Sequence, residues 1–228
     1  MKINPLITLA IQSPGLDHKR AAGIVGGLSN PSKMPCFGLS IPAKKCITGK
    51  KLRAVKNSVC SICYALKGRY GFANVASAME RRFKALNHPK WVDAMVLLCS
   101  TRLHLAGGDA GYFRWHDSGD VQSIDHLSRI VEIAKRVPFV KFWLPTREYS
   151  IVTEYLDANG AFPENLAVRV SAYMLDAQPP AWAVKRGLPT SGVSTDDGFN
   201  CPAPFQGNQC KDCRECWKTS GNVGYKGH

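Results

Sequence analysis

YFRWHDSGDVQSIDHLSRIVEIAKRVPFVKFWLPTREYSIVTEYLDANGAFPENLAVRVSA, residues 112–172, alternates two hydrophobic periods. Tyr112–His116 reads as a strand that ends in HDSGD. Ser123–Arg136 repeats Ile124, Leu127, Val131 and Ala134 at helical spacing. Val140–Leu144 is a second strand, ending in PTRE, and Glu148–Ala158 is a short helix closed by Asn159-Gly160. Leu166–Ala172 is a third strand. Strands that alternate with helices through short connections run parallel, because each helix carries the chain back across the sheet. The expected class is therefore α/β, with a partial or complete barrel-like core; an open doubly wound sheet is the alternative.

In either arrangement, ligands collect where the strands end. That rule makes His116, Asp117, Asp120 and Arg147 candidate catalytic or substrate groups, and Ser118 and Gly119 candidate cofactor contacts. An imidazole beside carboxylates can move protons or bind metal, and a guanidinium can grip a carboxylate or phosphate. Thr146, Glu148, Arg169 and Ser171 share the same rim. The structural alternative is that Asp120 and Ser123 are turn and cap residues and that Arg147 pairs with Glu148.

Working outward, residues 73–88 repeat Val75, Met79, Phe83 and Leu86 at helical spacing until Pro89 stops them. A second helix over 90–104 carries Trp91, Met95, Leu98 and Arg102, and Gly107-Gly108 then turns the chain. Residues 173–200, with Pro179, Pro180 and Pro189, read as irregular covering structure. At 228 residues a single domain is expected: a cysteine-rich segment 30–70, an α/β core 71–175 and a second cysteine-rich segment 196–217.

Nine cysteines with no recognisable export signal point to metal or redox chemistry rather than a disulfide framework. Cys99, isolated in MVLLCS, reads as a small buried hydrophobe. The other eight fall into two groups. Cys201, Cys210, Cys213 and Cys216 combine a CxxCxxC run with a remote Cys-Pro, as in ferredoxin-type ligation of a four-iron cluster. Structural zinc, the alternative, more often uses two separated knuckles. Cys60-Ser61-Ile62-Cys63 is one such knuckle, and Cys36 and Cys46 complete a second group of four. One cluster drawing ligands from both ends of the chain is also compatible with the spacing. The cofactor expected is therefore one or two 4Fe-4S clusters, with zinc as the alternative.

The formal charge is +13, with 30 Lys and Arg against 17 Asp and Glu. Such an excess favours polyanionic partners, offsets cluster charge, or simply faces solvent. Lys44, Lys45, Lys50, Lys51, Arg53 and Lys56 form the densest basic run. No stretch approaches the length of a membrane span, so a cytoplasmic protein without membrane contact is expected.

The motifs SKMPC (32–36), SVCSICYALKGRY (58–70), HDSGD (116–120), PTRE (145–148), RVSA (169–172) and CKDCRECW (210–217) resemble, in that order, the phage gene product eighty-eight family. The resemblance spans roughly 25–217 and implies a phage or prophage origin, an infected bacterial host and cysteine-rich metal binding; it implies no reaction. A weaker similarity links the chain to radical S-adenosylmethionine enzymes, which place a cluster loop before a strand ending in a Gly-Gly-Glu-like motif. Ser118-Gly119-Asp120 stands at that place, but the CxxxCxxC signature is absent, because Lys56 occupies the position four before Cys60. The expectation is an iron–sulfur protein with a redox or electron-transfer role and a redox partner. The alternatives are a non-enzymatic, metal-stabilised nucleic-acid-binding protein and a divergent radical S-adenosylmethionine-like enzyme.

Overall fold

A computed structural model describes residues 15–105, 111–196 and 198–227, without the side chains of 102–105. In chain order the elements are α1 (His18–Val25), β1 (Gly38–Leu39), α2 (Ile47–Leu52), α3 (Ala73–Ala85) and α4 (Trp91–Leu105). There follow β2 (Tyr112–Trp115), α5 (Ile124–Arg136), β3 (Lys141–Thr146), α6 (Tyr149–Asn159) and β4 (Leu166–Ser171). The chain ends with α7 (Ala181–Lys185), β5 (Thr190–Ser194) and β6 (Asn222–Lys226).

The six strands form one sheet in the order β1-β2-β3-β4-β5-β6, and every neighbouring pair is parallel. The fold is α/β, and the sheet is not closed into a barrel: β1 and β6 are its two edges. Strictly sequential order means that each crossover moves one strand in the same direction, which curls a sheet rather than winding it both ways.

Side-chain alternation divides the two faces. Phe113, Trp115, Phe142, Leu144, Val168 and Val170 pack with Trp91, Met95, Leu127, Ile130 and Ile133 into the main core beneath the helices. Trp143 and Val223 project to the opposite face and meet Cys36, Cys216 and Trp217. Helices therefore cover one face, and the C-terminal cysteine segment covers the other. Cys99 is fully buried in the main core, as expected of a small hydrophobe.

The helices and strands expected within 73–172 are all present, with ends displaced by a few residues. The reading of 173–200 as irregular is corrected, because this stretch holds α7 and β5. β1 and β6 lie outside 71–175 and complete the sheet on either side. Gly107-Gly108 lie outside the described residues. Among the described residues, no helix is long and apolar enough to cross a membrane.

Candidate metal centres

β1 is two residues long, yet it separates the cysteines expected as one N-terminal group. Cys36 precedes it, buried in an apolar cluster with Cys216, Trp143, Trp217 and Val223, with Cys201 packed alongside. Cys46, Cys60 and Cys63 follow it, at the carboxyl end of the sheet. They sit in a loop that crosses the rim. Ile41 N donates to Ser118 O at the end of β2 (3.0 Å), and Val59 N donates to Tyr173 O just past β4 (2.9 Å). Ser58, with its hydroxyl on Leu52 O (2.5 Å), caps the turn that carries Cys60 and Cys63. A Cβ added at Gly49 would lie 3.5 Å from Cys60 Sγ and 3.7 Å from Cys46 Sγ, so both sulfurs border one small volume that glycine leaves open. Burial pushes the Cys46 thiol up strongly, and Asp120, Cys60, Cys63 and Glu148 add repulsion. Burial raises Cys60 too, with Arg147 and Arg53 pulling the other way.

Of the rim carboxylates, Glu148 is bonded to this loop, and Asp120 is bonded to the rim backbone beside it. Glu148 accepts from Thr48 N (2.9 Å), Thr48 Oγ1 (2.6 Å) and Ile47 N (3.2 Å), holding the start of α2 next to Cys46. Asp120 accepts from Val121 N (2.8 Å) and Arg147 N (2.9 Å). Its carboxyl is nonetheless pushed up to about 6, first by burial and then by Glu148. Gly119, with φ 88°, packs directly on Ile41 and docks the exit of β1 against the exit of β2. Ser118 presents its carbonyl to Ile41, while its hydroxyl is buried without a partner. Asp117 accepts from Tyr70 Oη (2.9 Å). His116 turns beneath the helices, its ring 5.2 Å from that of His126, with both nitrogens buried and unpartnered. Arg147 donates Nε–H to Ala172 O (3.0 Å), and its terminal nitrogens make no hydrogen bond to the described residues.

The second site lies over the other face. Cys201, Cys210, Cys213 and Cys216 converge closely enough to interact electrostatically. Cys210 N donates to Lys33 O (3.2 Å), tying the CxxCxxC loop to the SKMPC segment that carries Cys36. Burial pushes the Cys216 thiol up to about 11 against the hydrogen bond to Tyr225 Oη (3.2 Å). Two guanidinium groups underlie this loop. Arg169, wholly buried, donates to the carbonyls of Thr190 (2.7 Å), Lys218 (2.9 Å), Glu215 (3.0 Å), Gly221 (3.0 Å) and Cys216 (3.4 Å). Arg114 stacks 4.2 Å from the Trp143 ring, reaches Met34 Sδ at 3.1 Å and keeps its Nε buried without a partner. Neither is in a salt bridge among the described residues. Sequence reasoning missed Arg114, although its place between Phe113 and Trp115 already put it on the face opposite the helices.

Among the described residues no disulfide is formed, and no three His, Cys, Asp or Glu side chains are grouped tightly enough for a single metal ion. Fold and site thus define an open parallel α/β protein with one cysteine group at the carboxyl rim of the sheet and a second over the face opposite the helices. The chain belongs to the gene product 88 family, whose profile matches residues 12–219, the phage family its motifs resemble. No curated protein and no solved structure matches the chain.

Proposed function

We propose that the chain is an iron–sulfur protein with a redox role, holding one cluster beneath the C-terminal cysteine loop and a second at the sheet rim. The observation that carries this reading is the placement of four converging cysteines above Arg169 and Arg114, two guanidinium groups in no salt bridge among the described residues, which Glu215 and Asp117 respectively reach electrostatically without pairing. A buried cation needs a nearby anion. A four-iron cluster with four thiolates supplies about −2. The donor set is soft sulfur, which suits iron–sulfur and disfavours hard cations. The cluster would supply one-electron chemistry; the chain's own residues hold it, shield it with Trp143 and Trp217, and balance its charge.

The test is anaerobic preparation followed by iron, acid-labile sulfide and zinc counts, with the visible spectrum. Brown protein with matched iron and sulfide supports the proposal, and Cys213→Ser should bleach part of the absorbance. Colourless protein with stoichiometric zinc and no sulfide would overturn it.

A second reading, a divergent radical S-adenosylmethionine-dependent enzyme, is favoured by one observation. Three cysteines stand at the carboxyl end of the first strand of a sequentially ordered parallel sheet. Release of methionine and 5′-deoxyadenosine from S-adenosylmethionine by the reduced protein would support it, and intact S-adenosylmethionine after reduction would remove it.

A further inference from the structure

We propose that the rim centre has three protein thiolates only, Cys46, Cys60 and Cys63, and that its fourth position takes a small carboxylate-bearing ligand held by Arg147. This rests on the iron–sulfur reading above and adds the division of ligands and the chemistry of the open position.

Two observations support the open position. Cys36, which would complete the set by sequence order, lies on the other side of β1 in the same apolar cluster as Cys216. The carboxylates that reach the rim thiols electrostatically, Asp120 and Glu148, are both spent on backbone N–H groups. Withdrawing Glu148 to ligate iron would orphan the Ile47 and Thr48 donors of the cysteine loop, and withdrawing Asp120 would orphan Val121 N and the backbone N–H of Arg147. The fourth iron of a cubane with three thiolates then needs a donor from outside the chain.

The surroundings select its charge. Arg147 stands within electrostatic reach of Cys60. Asp120 and Ala172 fix its backbone N–H and its Nε–H, and Tyr173 Oη donates to its carbonyl (3.0 Å). The guanidinium is therefore held in place with its two terminal nitrogens uncommitted. A planar fork of this kind pairs with a carboxylate through two parallel hydrogen bonds. Binding adds a ligand to iron and changes no oxidation state, so no reductant or leaving group is required.

The experiment uses the anaerobic full-length chain, reduced with dithionite and followed by electron paramagnetic resonance. Citrate and S-adenosylmethionine, each labelled with ¹³C at a carboxylate, serve as the probes. At least one should shift the signal of the rim cluster and show ¹³C hyperfine coupling. Arg147→Leu should weaken that probe's binding about tenfold or more, the worth of a charged hydrogen-bonded pair. Cys60→Ser should abolish the responsive signal, and Cys36→Ser should leave it intact. Iron and sulfide present but no shift with either probe overturns this proposal while leaving the iron–sulfur reading standing. Loss of the rim signal in Cys36→Ser also overturns it. Absence of iron and sulfide overturns the underlying reading instead.

Discussion

A Cβ at Gly119 would lie 2.2 Å from Ile41 Cγ1 and 2.8 Å from the Ile41 carbonyl oxygen, and its φ of 88° is itself unfavourable for other residues. Backbone strain and overpacking each cost on the order of 1–3 kcal/mol. Gly119→Ala should therefore lower unfolding stability by about 3 kcal/mol in urea titration; a loss below about 0.5 kcal/mol would mean that the two loops are not pressed together. His116 makes a different kind of prediction. Burial lowers its pKa to about 4, and lowers that of His126 well below 6.5. The unfolded chain thus binds more protons than the folded one as pH falls through 6.5, so these rings contribute stability that is full above 6.5 and lost towards 4. His116 alone accounts for about 3 kcal/mol. Asp120 acts oppositely: raised to about 6 from 3.8, it stabilises most at low pH and loses that contribution as pH rises through 6. Two histidines against one carboxyl leave a net fall on acidification. The urea midpoint should drop between pH 6.5 and 4.5, and His116→Asn, which tolerates the φ of 55° at this position, should flatten that slope.

At the scale of elements, Arg169 joins β4 to the C-terminal loop through four carbonyls and to β5 through a fifth, that of Thr190. Arg169→Met keeps most of the volume and leaves those acceptors in a dry setting, at a cost of about 3–5 kcal/mol. Hydrogen exchange should quicken across residues 215–221 while α5 keeps its protection; equal loosening of both would show that the arginine supports the whole core. This element was only partly legible in sequence. RVSA is visible as a strand end, but from spacing alone its arginine reads as a rim group, because nothing local reveals that residues 215–221 fold back onto it. The helical periods of α3 to α6 and the strands β2 to β4 were legible because each has a long amphipathic or apolar pattern of its own. β1 has two residues, and β5 and β6 read TSGVS and NVGYK, too short and polar to announce themselves; only their neighbours make them strands. The cysteine spacing located the metal-ligand candidates, but the partition of Cys36 depends on which end of β1 it occupies, which sequence order conceals.

At the scale of the molecule, charge is unevenly spread along the chain. No acidic residue occurs between Asp17 and Glu80, the stretch that holds the rim cysteine loop. The basic run within it is not one uniform surface. Arg53 turns inward to the Ala43 carbonyl, and Lys45 pairs with Glu80 at 3.7 Å and lies over Phe83. Lys44, Lys50, Lys51 and Lys56 remain exposed, beside exposed Ile47 and Val55. Four such lysines on a phosphate backbone would release counterions, with a slope of about −4 in log K against log salt. The expectation is weak, sequence-independent binding to labelled duplex DNA in fluorescence anisotropy at low salt, falling with that slope. Replacing Lys50 and Lys51 with glutamate should cut the slope by at least half, since two contacts are lost and two repulsions added. The same double substitution leaves all eight candidate ligands in place, so iron and sulfide content should not change. Binding that ignores salt would assign these lysines to solvent, and the surplus of positive charge would then serve the buried thiolates alone.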